Sequence, residues 1–184
     1  MILPIYTYGS AVLRQPTQEI TADYPGLQEL IANMFETMYE AEGIGLAAPQ
    51  IGKAIRLLVI DADPLKEDYP ECKGFKQVFI NPEIVEANQE EASLPEGCLS
   101  IPGINEKVLR PTQVTVRFYD ETFKQHTKTY TGFAARVLQH EVDHILQTLF
   151  TDRISPLRKR MIKSKLQKMS KGQVSAHYPT VLRP

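Results

Sequence analysis

The chain has 184 residues, 42% of them apolar and 23% charged, which is ordinary globular usage at a length that can bury one full core. A formal charge of −1 gives no whole-molecule attraction to DNA or to an anionic membrane, so neither is expected as a partner. The opening MILPIYTYGS has no basic n-region, nothing reads as a transit peptide, and no apolar run approaches membrane-spanning length, so a cytoplasmic protein is expected.

From Leu27 the residues Leu27, Leu30, Ile31, Met34, Phe35, Met38 and Tyr39 recur at helical spacing. They predict an amphipathic helix that follows Pro25 and stops near Gly43, with its apolar stripe in the core. Gly43-Ile-Gly-Leu-Ala-Ala-Pro-Gln50 comes next, and its small residues permit close backbone approach. It lacks the lysine of a P-loop and the GxGxxG pattern, but Gln50 offers an uncharged amide donor of the kind a developing oxyanion needs. Extended runs are predicted at Ile55–Ile60, Val78–Ile80, Ile84–Glu86 and Val114–Tyr119, the last forming a hairpin with His126–Tyr130, and a polar loop covers Asp61–Lys76. Glu96-Gly-Cys-Leu-Ser100, ringed by Pro95, Pro102 and Gly103, puts a cysteine in a tight turn where its thiolate can point at a metal. A second helix, Gly132 to Leu146, is apolar on more than one face and is expected to be buried by other elements. A third, Pro156 to about Lys171, carries Arg158, Lys159, Arg160, Lys163, Lys165, Lys168 and Lys171 beside Leu157, Met161, Ile162, Leu166 and Met169, so one face can dock while the other stays basic. The fold class expected is α+β, with mostly antiparallel sheet packed around the central metal-binding helix. One domain is expected over 1–184, its C-terminal basic helix and tail occupying 155–184.

The second helix contains His140-Glu-Val-Asp-His144. Residues four apart share a helical face, so both imidazoles can reach one ion, and Glu141 can reach a water there as a general base. Catalytic sites of this type use three protein ligands and keep a position open. Downstream of His144 only Asp152, the basic helix and a remote His177 remain, whereas Cys98 stands upstream. A zinc endopeptidase of the His-Glu-x-x-His type would place its third ligand downstream. A structural metal site would take four protein ligands and would not need Glu141.

The segments Gly43-Ile-Gly-Leu-Ala-Ala-Pro-Gln50, Glu96-Gly-Cys-Leu-Ser100 and Gln139-His-Glu-Val-Asp-His144 resemble, in order and spacing, the three signature motifs of the peptide deformylases. The similarity runs from the first helix to the third. It implies removal of the N-formyl group from the N-terminal formyl-methionine of new polypeptides, with release of formate. It also implies that Cys98, His140 and His144 bind one divalent ion, Fe²⁺ in vivo, with Zn²⁺, Ni²⁺ or Co²⁺ able to substitute. Glu141 is then the general acid and base, and Gln50 with the backbone N–H of Leu99 forms the oxyanion hole. Gly45 hydrogen-bonds the peptide backbone, while Ile44, Phe133 and Val137 line the methionine pocket. By spacing, residues 133, 137, 140, 141 and 144 share a helical face. The same resemblance implies that the basic face of the third helix meets ribosomal RNA. Two positions depart from the family pattern: Gln147, where many members have glycine, and Asn105, where many have arginine. Arg110 is available as a partner for Glu96, and Cys72, His126 and His177, outside all motifs, are expected at the surface. Neither cysteine is expected in a disulfide.

Overall fold

The computed structural model describes residues 1–184. In chain order its elements are β1 (Ile5–Tyr6), α1 (Leu27–Glu40), β2 (Gly45–Ala47), β3 (Leu57–Asp61), β4 (Lys76–Ala87), β5 (Glu91–Cys98) and β6 (Ile101–Pro111), then β7 (Gln113–Tyr119), β8 (Gln125–Thr131), α2 (Gly132–Ile145), α3 (Pro156–Met169) and β9 (Thr180–Val181). Strands β2-β3-β4-β7-β8 form one antiparallel sheet, β5 and β6 a separate hairpin, and β1 and β9 a short parallel pair. This is the α+β arrangement expected from the sequence.

The sheet lies between two helices because its central strand is apolar on both sides. Along β3, Leu58 and Ile60 join the core that contains Ala134, Leu138, Val142 and Ile145 of α2. The alternate residues Leu57 and Val59 join a second core with Leu27, Leu30, Ile31, Met34 and Met38 of α1. Successive side chains of a strand point to opposite faces, so a continuous apolar run serves both helices at once. Helix α2 is accordingly enclosed, with 11 of its residues buried. The carboxylate of Glu71 accepts the N–H of Phe133 at 2.9 Å, partnering a free donor in its first turn.

Several expectations need correction. Pro95, Gly97, Pro102 and Gly103 read as turn residues, yet all four lie within the strands of the β5–β6 hairpin. Its register slips between Glu96 and Cys98, and such a bulge re-aims the side chain that follows it. A Cβ at Gly97 would stand 2.6 Å from Asn105 Oδ1, so the Asn105 side chain packs over the glycine at the slip. The runs at 78–80 and 84–86 belong to one irregular strand, β4. Cys72 is fully buried beside Phe75 and Phe79, not at the surface. Helix α3 docks through Ile162, Leu166 and Met169 on a third core with Ile101, Ile104 and Phe150, leaving Leu157 and Met161 exposed. Its basic face is also not wholly free, since Arg158 pairs with Glu106 at 2.7 Å. The tail is fixed too: β9 lies along β1, and Pro179 and Val181 accept the N–H groups of Ile5 and Thr7.

Candidate metal centre

Helix α2 carries His140 and His144 one turn apart, and the β5–β6 turn brings Cys98 over them. The Cys98 Sγ is 3.4 Å from His144 Nε2, and the ligand atoms of Cys98, His140 and His144 all lie within 4.8 Å of one another. His140 engages Glu96 Oε1 through Nδ1 at 2.9 Å, which orients the ring and leaves Nε2 for the centre. Glu96 is itself held by Arg110, from Nε at 2.6 Å and Nη2 at 2.9 Å, and by Arg136 Nη1 at 2.6 Å. Arg110 also reaches Asp143 at 2.9 Å, and Asp143 in turn takes a forked contact from Arg153 at 2.6 and 2.8 Å. The pairing of Arg110 with Glu96 is therefore present, as part of a larger buried network. Burial alone would raise the pKa of Glu96, but Arg110 and His140 outweigh it and hold the carboxyl well below the usual range.

A thiol and two imidazoles make a borderline N/S donor set that suits divalent transition ions and leaves a coordination position open. One further observation fits such an ion: the Oε2 of Glu141 is buried with no hydrogen-bond partner. The Nδ1 of His144, the ring nitrogen that does not face Cys98, is also buried without one. Burial pushes Glu141 up to about 7, with Glu96 and Asp143 adding to the rise against His140 and Arg110. Burial lowers the pKa of His144, and the neighbouring His140 adds to the fall. A Cβ at Gly45 would stand 2.7 Å from Glu141 Oε1, so glycine is what admits this carboxylate beside β2.

The centre opens into a cleft of about 550 Å³ lined by Ile44, Gly45, Gln50, Cys98, Leu99, Phe133, Val137, His140 and Glu141, with Leu65 as an apolar addition that no motif marked. His144 lies deeper, reaching the centre from behind the cleft wall. Phe133 is braced by Tyr69, the rings stacked with centroids 4.3 Å apart. The Gln50 amide is fixed at both ends. Its oxygen accepts Ala47 N–H at 2.9 Å, so Nε2 must turn toward Ser100 Oγ at 3.1 Å and Cys98 Sγ at 3.5 Å. Ser100, fully buried, orients this amide, a role that its place in the cysteine motif did not reveal. Residues 175–178 of the tail also line the cleft, including His177, which was expected only as a surface residue. His126, in β8, is half-buried and paired with Asp120 of the β7–β8 turn at 2.7 Å, and it is not among the residues that line the cleft.

The polypeptide deformylase family model matches residues 2–160. A peptide deformylase of Flavobacterium psychrophilum is 50% identical over 191 residues, covering 100% of this chain and 98% of the relative. The chain belongs to the polypeptide deformylase family. Among solved structures, a peptide deformylase from Legionella pneumophila superposes with a TM-score of 0.80 at 40% identity, covering 94% of this chain and 98% of that one. A Met-Ala-Ser-bound class I type b peptide deformylase from Acinetobacter baumannii gives 0.78 at 33% identity, covering 84% and 99%. As a deformylase the chain is a metal-dependent hydrolase that removes the formyl group from N-terminal formyl-methionine. The family uses a single catalytic metal, and Cys98, His140 and His144 form a group able to hold one. No helix is long and apolar enough to cross a membrane.

Proposed function

We propose that Cys98, His140 and His144 bind the catalytic ion, that Fe²⁺ fills this role in the cytoplasm, and that the remaining cleft residues divide the work of deformylation among them. The observation that carries this reading is the convergence of those three donor atoms within 4.8 Å, beside a buried Glu141 oxygen that no protein group satisfies. When bound, the divalent ion supplies Lewis acidity and makes a water nucleophilic near neutral pH.

Glu141 takes the proton of the attacking water and later delivers it to the leaving amine. Its place beside Gly45 at the mouth of the centre, with one oxygen that no protein group satisfies, suits a group that must do both. The Gln50 amide, pinned through its oxygen, and the backbone N–H of Leu99 donate to the developing oxyanion, and the loss of one such donor typically costs about 3 kcal/mol of barrier. Strand β2 is an edge strand, paired only with β3, so Gly45 can take an extended peptide as an added strand. The Acinetobacter baumannii relative binds Met-Ala-Ser, a peptide, which supports a peptide-binding reading of this cleft. Ile44, Phe133 and Val137 then enclose the methionine side chain, and the whole of residues 1–184 acts as one catalytic unit. Formate release from formyl-Met-Ala-Ser, measured beside casein cleavage, tests the reading. Formate without casein fragments is expected, whereas casein fragments without formate would favour the endopeptidase alternative.

The exposed Lys159, Lys163 and Lys165 of α3 support a contact with ribosomal RNA. Glutamates at these positions should weaken ribosome co-sedimentation and flatten its salt dependence, and unchanged co-sedimentation would remove the idea. Deleting everything after Ser155 would not isolate this contact. It would take Ile162 and Met169 from the core and the tail from the cleft.

A further inference from the structure

The family match stops at residue 160, yet the chain's last residues return to the cleft. Their path is held at several points. Ile5 and Thr7 donate to Pro179 and Val181, Ala11 N–H donates to Arg183 O at 2.9 Å, and Arg183 N–H donates to Ser10 Oγ at 3.1 Å. From this anchorage the Tyr178 hydroxyl donates to the carbonyl of Leu99 at 2.7 Å, while Tyr8 N–H of the N-terminal arm donates to the adjacent carbonyl of Ser100 at 2.8 Å. The turn after Cys98 is thus tied by both ends of the chain. Leu99 is also wedged against the opposite lip, since a Cβ on Gly43 would come 2.8 Å from its Cδ1.

The tail also meets that opposite lip directly. His177 Nε2 lies 3.6 Å from Glu42 Oε2, with both side chains largely exposed. The lip runs Gly45, Ile44, Gly43, Glu42. Glu141 stands against Gly45, where the formyl group reacts on the reading above, and Ile44 borders the methionine pocket. An extended peptide laid along this lip carries its second and third residues toward Gly43 and Glu42, and so toward Ser175, Ala176 and His177.

We propose that the C-terminal tail is a working wall of the peptide cleft, in which Tyr178 positions the Leu99 turn and residues 175–177 contact the side chains that follow the formyl-methionine. This rests on the deformylase reading of the site. It makes the tail a determinant of preference among nascent peptides, at residues beyond the first.

The test compares kcat and KM for formyl-Met-Ala and formyl-Met-Ala-Ser-Lys in the wild-type metalloenzyme, Tyr178→Phe and His177→Ala, with metal content and Tm measured for each. Tyr178→Phe removes one neutral hydrogen bond. It is expected to lower kcat about fivefold on both peptides, with KM for the shorter one little changed and metal content retained. His177→Ala sits on the rim and threatens no core packing. It is expected to lose about fivefold more kcat/KM on the longer peptide than on the shorter, through KM. A long-to-short ratio in His177→Ala equal to that of the wild type overturns the contact. A wild-type kcat in Tyr178→Phe overturns the positioning role. A wild-type enzyme inert on both peptides would instead sink the deformylase reading of the site, so the two failures are distinguishable.

Discussion

Replacing Glu96 by Gln tests how far the metal centre depends on what lies behind it. Each Glu96 oxygen accepts twice: Oε1 from Arg110 Nη2 and His140 Nδ1, and Oε2 from Arg110 Nε and Arg136 Nη1. An amide in this place must turn its NH₂ toward two N–H donors, whichever way it is flipped. At least two charge-assisted bonds are lost, and buried guanidinium charge is left short of a partner, since the side chains of Arg110 and Glu96 are 3% and 5% exposed. Breaking a buried pair from one side costs about 3–5 kcal/mol, which for a chain of this size lowers Tm by roughly 10 °C. Loss of the group that orients a ligating histidine also weakens metal affinity, by about 10- to 100-fold. The pH dependence has a definite sign. Because the folded-state pKa of Glu96 is depressed, its contribution is fully present above the ordinary glutamate value of about 4.3 and is lost as pH falls through the lowered folded value. The Gln variant should therefore lose stability at neutral pH and show a flatter acid limb. Urea unfolding from pH 3 to 8, with chelator competition for the metal, measures both effects. A variant within 1 kcal/mol of wild type and with unchanged metal affinity would refute this account of the network.

Glu141→Ala should retain the metal and lose about 10²- to 10⁴-fold in kcat, since only the proton carrier is removed; single-turnover formate release alongside elemental analysis reads both. Val137→Trp should fill the apolar end of the cleft and raise KM for formyl-Met peptides with little effect on metal content, and unchanged kinetics would place the methionine elsewhere. Gln147 has φ 56°, a left-handed residue just past the end of α2, where glycine would carry no Cβ penalty. Gln147→Gly should therefore raise stability by about 1 kcal/mol without altering catalysis, as chemical denaturation would show.

Much of the site was legible because it is local: His140 and His144 are spaced by one helical turn, and the helices show their apolar stripes. Pattern could not show the hairpin that delivers Cys98. Its strands contain Pro95, Gly97, Pro102 and Gly103, which read locally as turn residues, and the register slip at Glu96–Cys98 appears only once the two strands pair. Cys72 lies in a charged loop, but the turn at Pro70–Cys72 folds its inner residues under the sheet. Leu157 and Met161 read as docking residues of α3 and are exposed, because the helix meets the core only along the neighbouring stripe of Ile162, Leu166 and Met169. The tail had no periodicity and no motif to reveal it. Its place depends on hydrogen bonds to residues more than 170 positions away, as in the contact of Arg183 with Ser10, |i−j| = 173. Long-range polar contacts of this kind, including those that tie Glu96, Arg136 and Asp143 together, leave no trace in local sequence.

If one divalent ion, held by Cys98, His140 and His144, drives formate release, then activity must follow metal occupancy of those three residues. The most direct measurement titrates metal-free protein with Fe²⁺ under anaerobic conditions while formate release from formyl-Met-Ala-Ser is followed, for the wild type and for Cys98→Ala. The wild type should gain activity linearly and break at one ion per chain, and Cys98→Ala should show neither the break nor the activity. Full activity in the metal-free protein, or the same break in Cys98→Ala, would contradict the account.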